Sequence, residues 1–300
     1  MSESGSNYND LRAAFRWALP ERVNIGVEVS DRQPAGDPAI LVTDGREINR
    51  VVSFGELTEA SNRLANSLAA LGIGAGDRVA LILSQRPETV IAHIAVYKLG
   101  AIVVPLSAAF GSDALEVRLC GSEPQAVLGE RDSLERVAAL GFDGILIDVD
   151  HDLERLLAGA SPHFTAAATT PHTPALLVYT SGTTGPPKGA LHGHRVLAGH
   201  LPGFELSHDF FPQPGDRIWT PADWAWIGGL YDVVMPALAH GTPVVAFRTQ
   251  RFDPEQAFDV MARAGIRNVF MPATALRMMR RSEGVPVSLR TIASGGETVG

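Results

Sequence analysis

Short, nearly continuous apolar runs alternate with longer segments whose apolar residues recur at three- and four-residue spacing, and this rhythm governs most of the chain. Residues 78–83, 101–106, 126–128 and 145–149 read as strands, separated by helices at 87–99, 112–120, 133–140 and 153–158. The alternation resumes with strands at 217–220, 244–247, 269–271 and 289–293 and helices at 227–239, 254–264 and 274–281. Ahead of it lie a helix-like segment at 11–19, extended stretches at 23–29 and 39–42, and an amphipathic helix carrying Leu57, Leu64, Leu68 and Leu71. The strands are runs of Val, Ile and Leu without polar alternation, so a mostly parallel α/β sheet covered on both faces is expected.

Local punctuation agrees with these boundaries. Ser53 and Glu56 have the spacing of a capping box, Asp253-Pro254 is a cap followed by proline, and Gly72, Gly100, Gly241 and Gly265 stand where helices should stop. Glycine between a helix and a parallel strand is a general feature of such units, so this echo is not a sequence repeat. Residues 159–174, rich in Ser, Thr, Ala and Pro, break the rhythm and read as a surface linker.

That linker and the apolar run 175–178 lead into YTSGTTGPPKG at 179–189. Three glycines let successive backbone N–H groups turn toward one anion, Thr180, Ser181, Thr183 and Thr184 add hydroxyl donors, and Lys188 adds a charge. A surface turn needs Gly and Pro but neither the hydroxyls nor the cation, so the stretch reads as a phosphate-binding loop. Pro187 before Lys188 and Gly189 after it fit no Walker frame, and the even spacing of Gly72, Gly74 and Gly76 fails the Rossmann fingerprint.

Composition narrows the setting. A net charge of −8 argues against a broad nucleic-acid surface. The lone cysteine, Cys120, excludes a disulfide framework and fits a reducing cytoplasm. The acidic, polar N-terminus lacks the form of an export signal, and no apolar stretch is long enough to span a bilayer. Among 25 basic residues only Lys98 and Lys188 are lysine. His192, His194, His200 and His208 have no Cys or carboxylate at ligand spacing, and no metal ligand is assigned.

TSGTTGPPKG, residues 180–189, resembles the signature loop of the adenylate-forming superfamily, which comprises acyl-CoA synthetases, peptide-synthetase adenylation domains and luciferases. The resemblance implies two packed, mostly parallel sheets flanked by helices, with residues 1–72 and 215–300 in one unit and 73–214 in the other. It implies that residues 1–300 are a large N-terminal domain, incomplete at its C-terminal end and without the small lid domain. Phosphate-binding roles fall on Thr180, Ser181, Gly182, Thr183, Thr184, Gly185 and Lys188, with Thr184 and Lys188 as the catalytic members.

Two further segments extend the resemblance. TPADWAWIGGL at 220–230 is similar to the acyl-pocket segment of the acetyl- and medium-chain acyl-CoA synthetases. Asp223 and Trp226 match its Asp-x-Gly-Trp pattern and Ala225 replaces the glycine, placing Trp226, Ile227 and Gly228 at the acid. A bulky Trp226 would cap the pocket and favour a short or compact acid. ASGGET at 293–298 follows a strand, where small residues admit a flat ring; Gly296, Glu297 and Thr298 resemble the family's adenine-contacting Gly-Glu-Pro, with Thr298 in place of its proline, and Gly295 is placed with Trp226, Ile227 and Gly228 at the acid.

The implied reaction has a carboxylic acid, expected to be a short- or medium-chain fatty acid, attack the α-phosphate of ATP to give an acyl adenylate, which coenzyme A then captures. ATP, Mg²⁺ and coenzyme A are the implied cofactors, and no nucleic-acid partner and no transmembrane segment are expected. The family's downstream ribose-binding and lid motifs do not occur before Gly300, so the isolated chain is not expected to make acyl-CoA. An adenylation domain delivering to a carrier protein, or a non-catalytic nucleotide-binding fragment, stays open on this sequence.

Overall fold

The computed structural model describes residues 7–180, 186–249 and 251–298. The strands are β1 (Pro38–Thr43), β2 (Ile48–Ser53), β3 (Arg78–Ile82), β4 (Ile102–Pro105), β5 (Ala126–Gly129) and β6 (Ile145–Asp148). They continue with β7 (Pro174–Thr180), β8 (Lys188–Gly193), β9 (Ile218–Trp219), β10 (Val244–Phe247), β11 (Asn268–Phe270) and β12 (Thr291–Ala293). They form two six-stranded sheets, ordered β12-β11-β9-β10-β1-β2 and β6-β5-β3-β4-β7-β8. Each is parallel except at one edge, where β2 and β8 pair antiparallel to β1 and β7. The two sheets share one plan: a four-strand unit, β3–β6 or β9–β12, is extended by a hairpin that precedes the other unit in the chain.

Successive strand residues point to opposite faces, and this sorts the core into layers. Ile40 and Val244 of one sheet and Val79 and Leu81 of the other belong to a single central cluster. Their neighbours Leu41 and Val245 pack outward under the helix Pro254–Arg263, while Ala80 and Ile82 pack outward under Ser112–Ser122 and Arg131–Ala139. The central layer holds the helices Phe54–Ala70 and Pro87–Leu99 and the helical run from Ile227 to Ala239. Phe54, Leu57, Leu64 and Leu68 are fully buried, each contributing about 1.5–3 kcal/mol by leaving water.

The caps form as their spacing requires. Ser53 Oγ accepts from Glu56 N while the Glu56 carboxylate accepts from Ser53 N, and Asp253 accepts from Glu255 N and Gln256 N. Residues 23–29 are a departure: the chain coils into a π-helical turn at Val27–Asp31 rather than extending. Asn24 overrides the β-branched run. Its Oδ1 accepts from Gly26 N and its Nδ2 donates to Tyr97 O, which starts a turn against the central helix. Strand β2 was not legible as a strand, and 159–174 is no free linker, because Asn62, Arg63 and Asn66 lace its carbonyls to the helix Phe54–Ala70. No helix among the described residues is long and apolar enough to cross a membrane.

Candidate active site

In each sheet one strand is flanked by the two strands that follow it, β9 by β10 and β11, and β3 by β4 and β5. Chain leaving such a strand diverges to opposite faces, opening a crevice beyond the carboxyl ends. The two crevices meet. Gln85, beyond β3, donates through Nε2 to Thr220 O at 3.0 Å and Ala222 O at 2.7 Å, beyond β9. Ser107, beyond β4, donates to Asp223 Oδ2 at 2.6 Å, and Arg248, beyond β10, pairs with Glu130, beyond β5, at 2.8 Å.

The three sequence segments all lie at carboxyl ends of parallel strands bordering this junction: 180–188 after β7, 220–228 after β9, and 295–298 after β12. Thr180 and Lys188 are Cα partners in the antiparallel β7–β8 register, and both are exposed. Ser181, Gly182, Thr183, Thr184 and Gly185 lie outside the described residues. Tyr179, one residue before the loop, is buried with its ring facing Arg118 at 5.9 Å, and burial raises its phenol pKa.

Trp226 precedes the helical run that begins at Ile227 and remains 42% exposed, leaving part of its indole open to solvent. Its edge meets Phe110, with ring centroids 5.7 Å apart. Asp223 organises this turn: Oδ2 accepts from Ser107, Oδ1 accepts from Ala225 N at 2.9 Å, and its carbonyl accepts from Trp226 N at 3.1 Å. Gly228 and Gly295 converge on one ring. A Cβ on Gly228 would stand 3.1 Å from Phe270 Cε1, and one on Gly295 would stand 3.6 Å from Cε2. The 220–228 and 295–298 segments are therefore neighbours across Phe270, a residue that sequence reasoning did not single out.

Glu297 is occupied by protein partners. Its Oε1 accepts from Thr274 N at 2.7 Å and Thr274 Oγ1 at 2.5 Å, and its Oε2 pairs with Arg277 at 2.8 Å. The Thr274 and Arg277 bonds hold its carboxyl below the usual range. Side-chain clamping of this kind fixes the backbone of Gly295, Gly296 and Thr298, and Thr298 O accepts from Arg277.

His151, His163 and His172 are exposed loop residues, whereas His194, in the histidine-rich run after the loop, is fully buried, with Nδ1 accepting from Ile25 N, and burial lowers its pKa to about 4. Among the described residues no group of three or more His, Cys, Asp or Glu could hold a metal ion. Sequence reasoning also missed Gln85, Ser107, Phe110 and Arg118, which lie far along the chain from the segments they touch. The apolar cavity of about 630 Å³ between the N-terminal segment and the helix Arg195–Ser207 shares no residue with the three segments.

Comparison with known proteins agrees with this architecture. The acetyl-coenzyme A synthetase of Syntrophobacter fumaroxidans is 26% identical over 99% of this chain and 51% of its own length. The crystal structure of Brucella canis acyl-CoA synthetase superposes with a TM-score of 0.85 at 26% identity, covering 97% of this chain and 57% of that one. ATP-bound MatB from Rhodopseudomonas palustris shares the fold at 23% identity and a TM-score of 0.79, over 92% of this chain and 55% of its own. The chain thus spans about half the length of the curated relatives it matches. Residues 27–300 match the family described as AMP-binding enzyme, and the chain belongs to that family.

Proposed function

We propose that the chain forms the ATP- and acid-binding part of an acid–thiol ligase that activates a short carboxylic acid, acetate being the first candidate, as its acyl adenylate for transfer to coenzyme A. The observation that carries this reading is that Thr180 at the end of β7, the Trp226 turn and the 295–298 turn all stand at the carboxyl ends of strands, the latter two turns converging on Phe270. Acetyl-coenzyme A synthetases among the relatives and an ATP-bound neighbour in fold support it.

In this reading Thr180 to Gly185 and Lys188 neutralise the β- and γ-phosphates, with Lys188 and Thr184 acting as pyrophosphate departs. Trp226, Ile227, Gly228 and Gly295 seat the acid so that its oxygen faces the α-phosphorus, a positioning task that requires no covalent nucleophile from the protein. Gly296, Glu297 and Thr298 shape the adenine seat, Glu297 by holding the turn rather than by reaching the ring. Mg²⁺ fits as part of the nucleotide substrate, because phosphates can supply the oxygen ligands that no cluster of described side chains provides. Residues 1–72 with 215–300, and 73–214, are proposed as the two interleaved units.

Acid-dependent pyrophosphate exchange by the full gene product, with a panel from formate to octanoate, tests the assignment. Exchange should peak with acids of a few carbons. Lys188→Ala should cut it by about 100-fold through loss of a phosphate-paired cation while leaving the melting temperature unchanged. Exchange that is insensitive to every acid, or unaltered in Lys188→Ala, refutes the proposal.

A further inference from the structure

Between the loop's first strand and the Trp226 turn lies a buried cation. The Arg118 guanidinium stands 4.2 Å over the Phe110 ring and 5.9 Å from the Tyr179 ring. Phe110 in turn meets Trp226 edge-on, at an interplanar angle of 85°. Arg118 is only 8% exposed, its Nη1 donates to Ala114 O at 2.7 Å, and its Nε is buried with no partner among the described residues. Burying a charge in this way is unfavourable unless its surroundings attract it, and aromatic faces do so more strongly away from water.

The side chains at the two ends of this stack bracket the two reactants. Tyr179 immediately precedes Thr180, where the phosphate loop begins, and Trp226 immediately precedes the helical run that opens with Ile227 and Gly228. We propose that Arg118 is a positioning residue that ties the acid seat at Trp226 to the phosphate loop at Thr180, so that filling one seat favours filling the other. The proposal rests on the function proposed above. Because Arg118 contacts both Phe110 and Tyr179 and is held by Ala114 O, an acid pressed against Trp226 displaces Phe110, Phe110 shifts Arg118, and Arg118 shifts the strand that carries the loop. The result is a coupling free energy between two ligands, and it acts equally in both directions.

The test uses the full-length enzyme in pyrophosphate exchange, with ATP and acid varied against each other. Arg118→Met removes the cation and keeps the bulk. It should raise the KM for both ATP and acid about tenfold and remove the dependence of one on the concentration of the other. Arg118→Lys, which keeps charge but not the plane, should recover only part of the coupling. Val137→Ala, in the same outer core layer, should lower the melting temperature with both KM values unchanged, which separates loss of packing from loss of coupling. Wild-type KM values in Arg118→Met, or a change confined to melting temperature as in Val137→Ala, overturn the proposal. A wild-type enzyme without acid-dependent exchange overturns the proposed function, and this inference with it.

Discussion

Asp223→Ala should loosen the junction between the sheets by a calculable amount. The carboxylate accepts two hydrogen bonds, from Ser107 Oγ at 2.6 Å and from Ala225 N at 2.9 Å. Hydrogen bonds to a charged group are worth about 1.5–3 kcal/mol, and the half-exposed position of Asp223 places both at the low end, so the pair comes to ~3 kcal/mol. In a chain of this size each kcal/mol moves the melting midpoint by ~2 °C, giving a loss of ~6 °C. Asp223→Asn is the informative partner. Its amide oxygen still accepts from Ala225 N, and its NH₂ group donates to a Ser107 hydroxyl that has rotated to accept, so the loss shrinks to about 1 kcal/mol. Circular-dichroism melts of the three proteins measure both values. An Asp223→Ala protein within 0.5 kcal/mol of wild type, or an Asn variant as damaged as the Ala variant, would refute the assignment of this side chain as the strap between the sheets.

Gly229→Ala should destabilise by about 2 kcal/mol or more, because its Cβ would stand 2.5 Å from the Asp223 carbonyl oxygen; Gly36→Ala, with nothing within 4 Å, is the harmless control in the same melt. Burial holds the folded pKa of His93 near 3 and those of His194 and His208 near 4, below the ordinary 6.5, so these groups contribute stability above pH 6.5 that is lost as pH falls toward 4. At pH 5 each should have given up about 2 kcal/mol relative to pH 7.5, and His194→Asn, which can still accept from Ile25 N, should flatten that dependence in urea titrations.

Most of the fold could be read from the chain because its signals are local. Apolar runs without alternation mark the buried strands, and Ser53, Asp253, Gly100, Gly241 and Gly265 mark the helix ends, the last three with φ of 73°, 66° and 61°. What escaped depends on long-range partners. The turn at 24–31 needs Tyr97 O to satisfy Asn24, and β2 is half solvent-facing at a sheet edge, where its burial pattern carries little periodicity. The site divides the same way. The segments at 180, 226 and 297 announce themselves by composition, but nothing in the sequence pairs Ser107 with Asp223 or sets Phe270 between two glycines. Glu297 shows the limit of motif reading, since Thr274 and Arg277, more than a helical turn away in sequence, decide what its carboxylate can do.

The shared plan of the sheets has a consequence for how this chain can fold. The hairpin β1-β2 completes the sheet of β9–β12, and β7-β8 completes that of β3–β6, so each half of the chain finishes the other half's sheet. Neither half holds a closed sheet of its own, and cutting the chain in the 159–174 crossing would leave two fragments, each with an unpaired parallel edge. Assembly must therefore wait for pairings such as Ile40 with Val244, which favours slow, all-or-none folding over stepwise domain growth. It also gives concentrated refolding mixtures a specific wrong turn. A hairpin that reaches a second molecule's four-strand unit makes the same contacts it would make at home, producing an exchanged dimer with every strand paired.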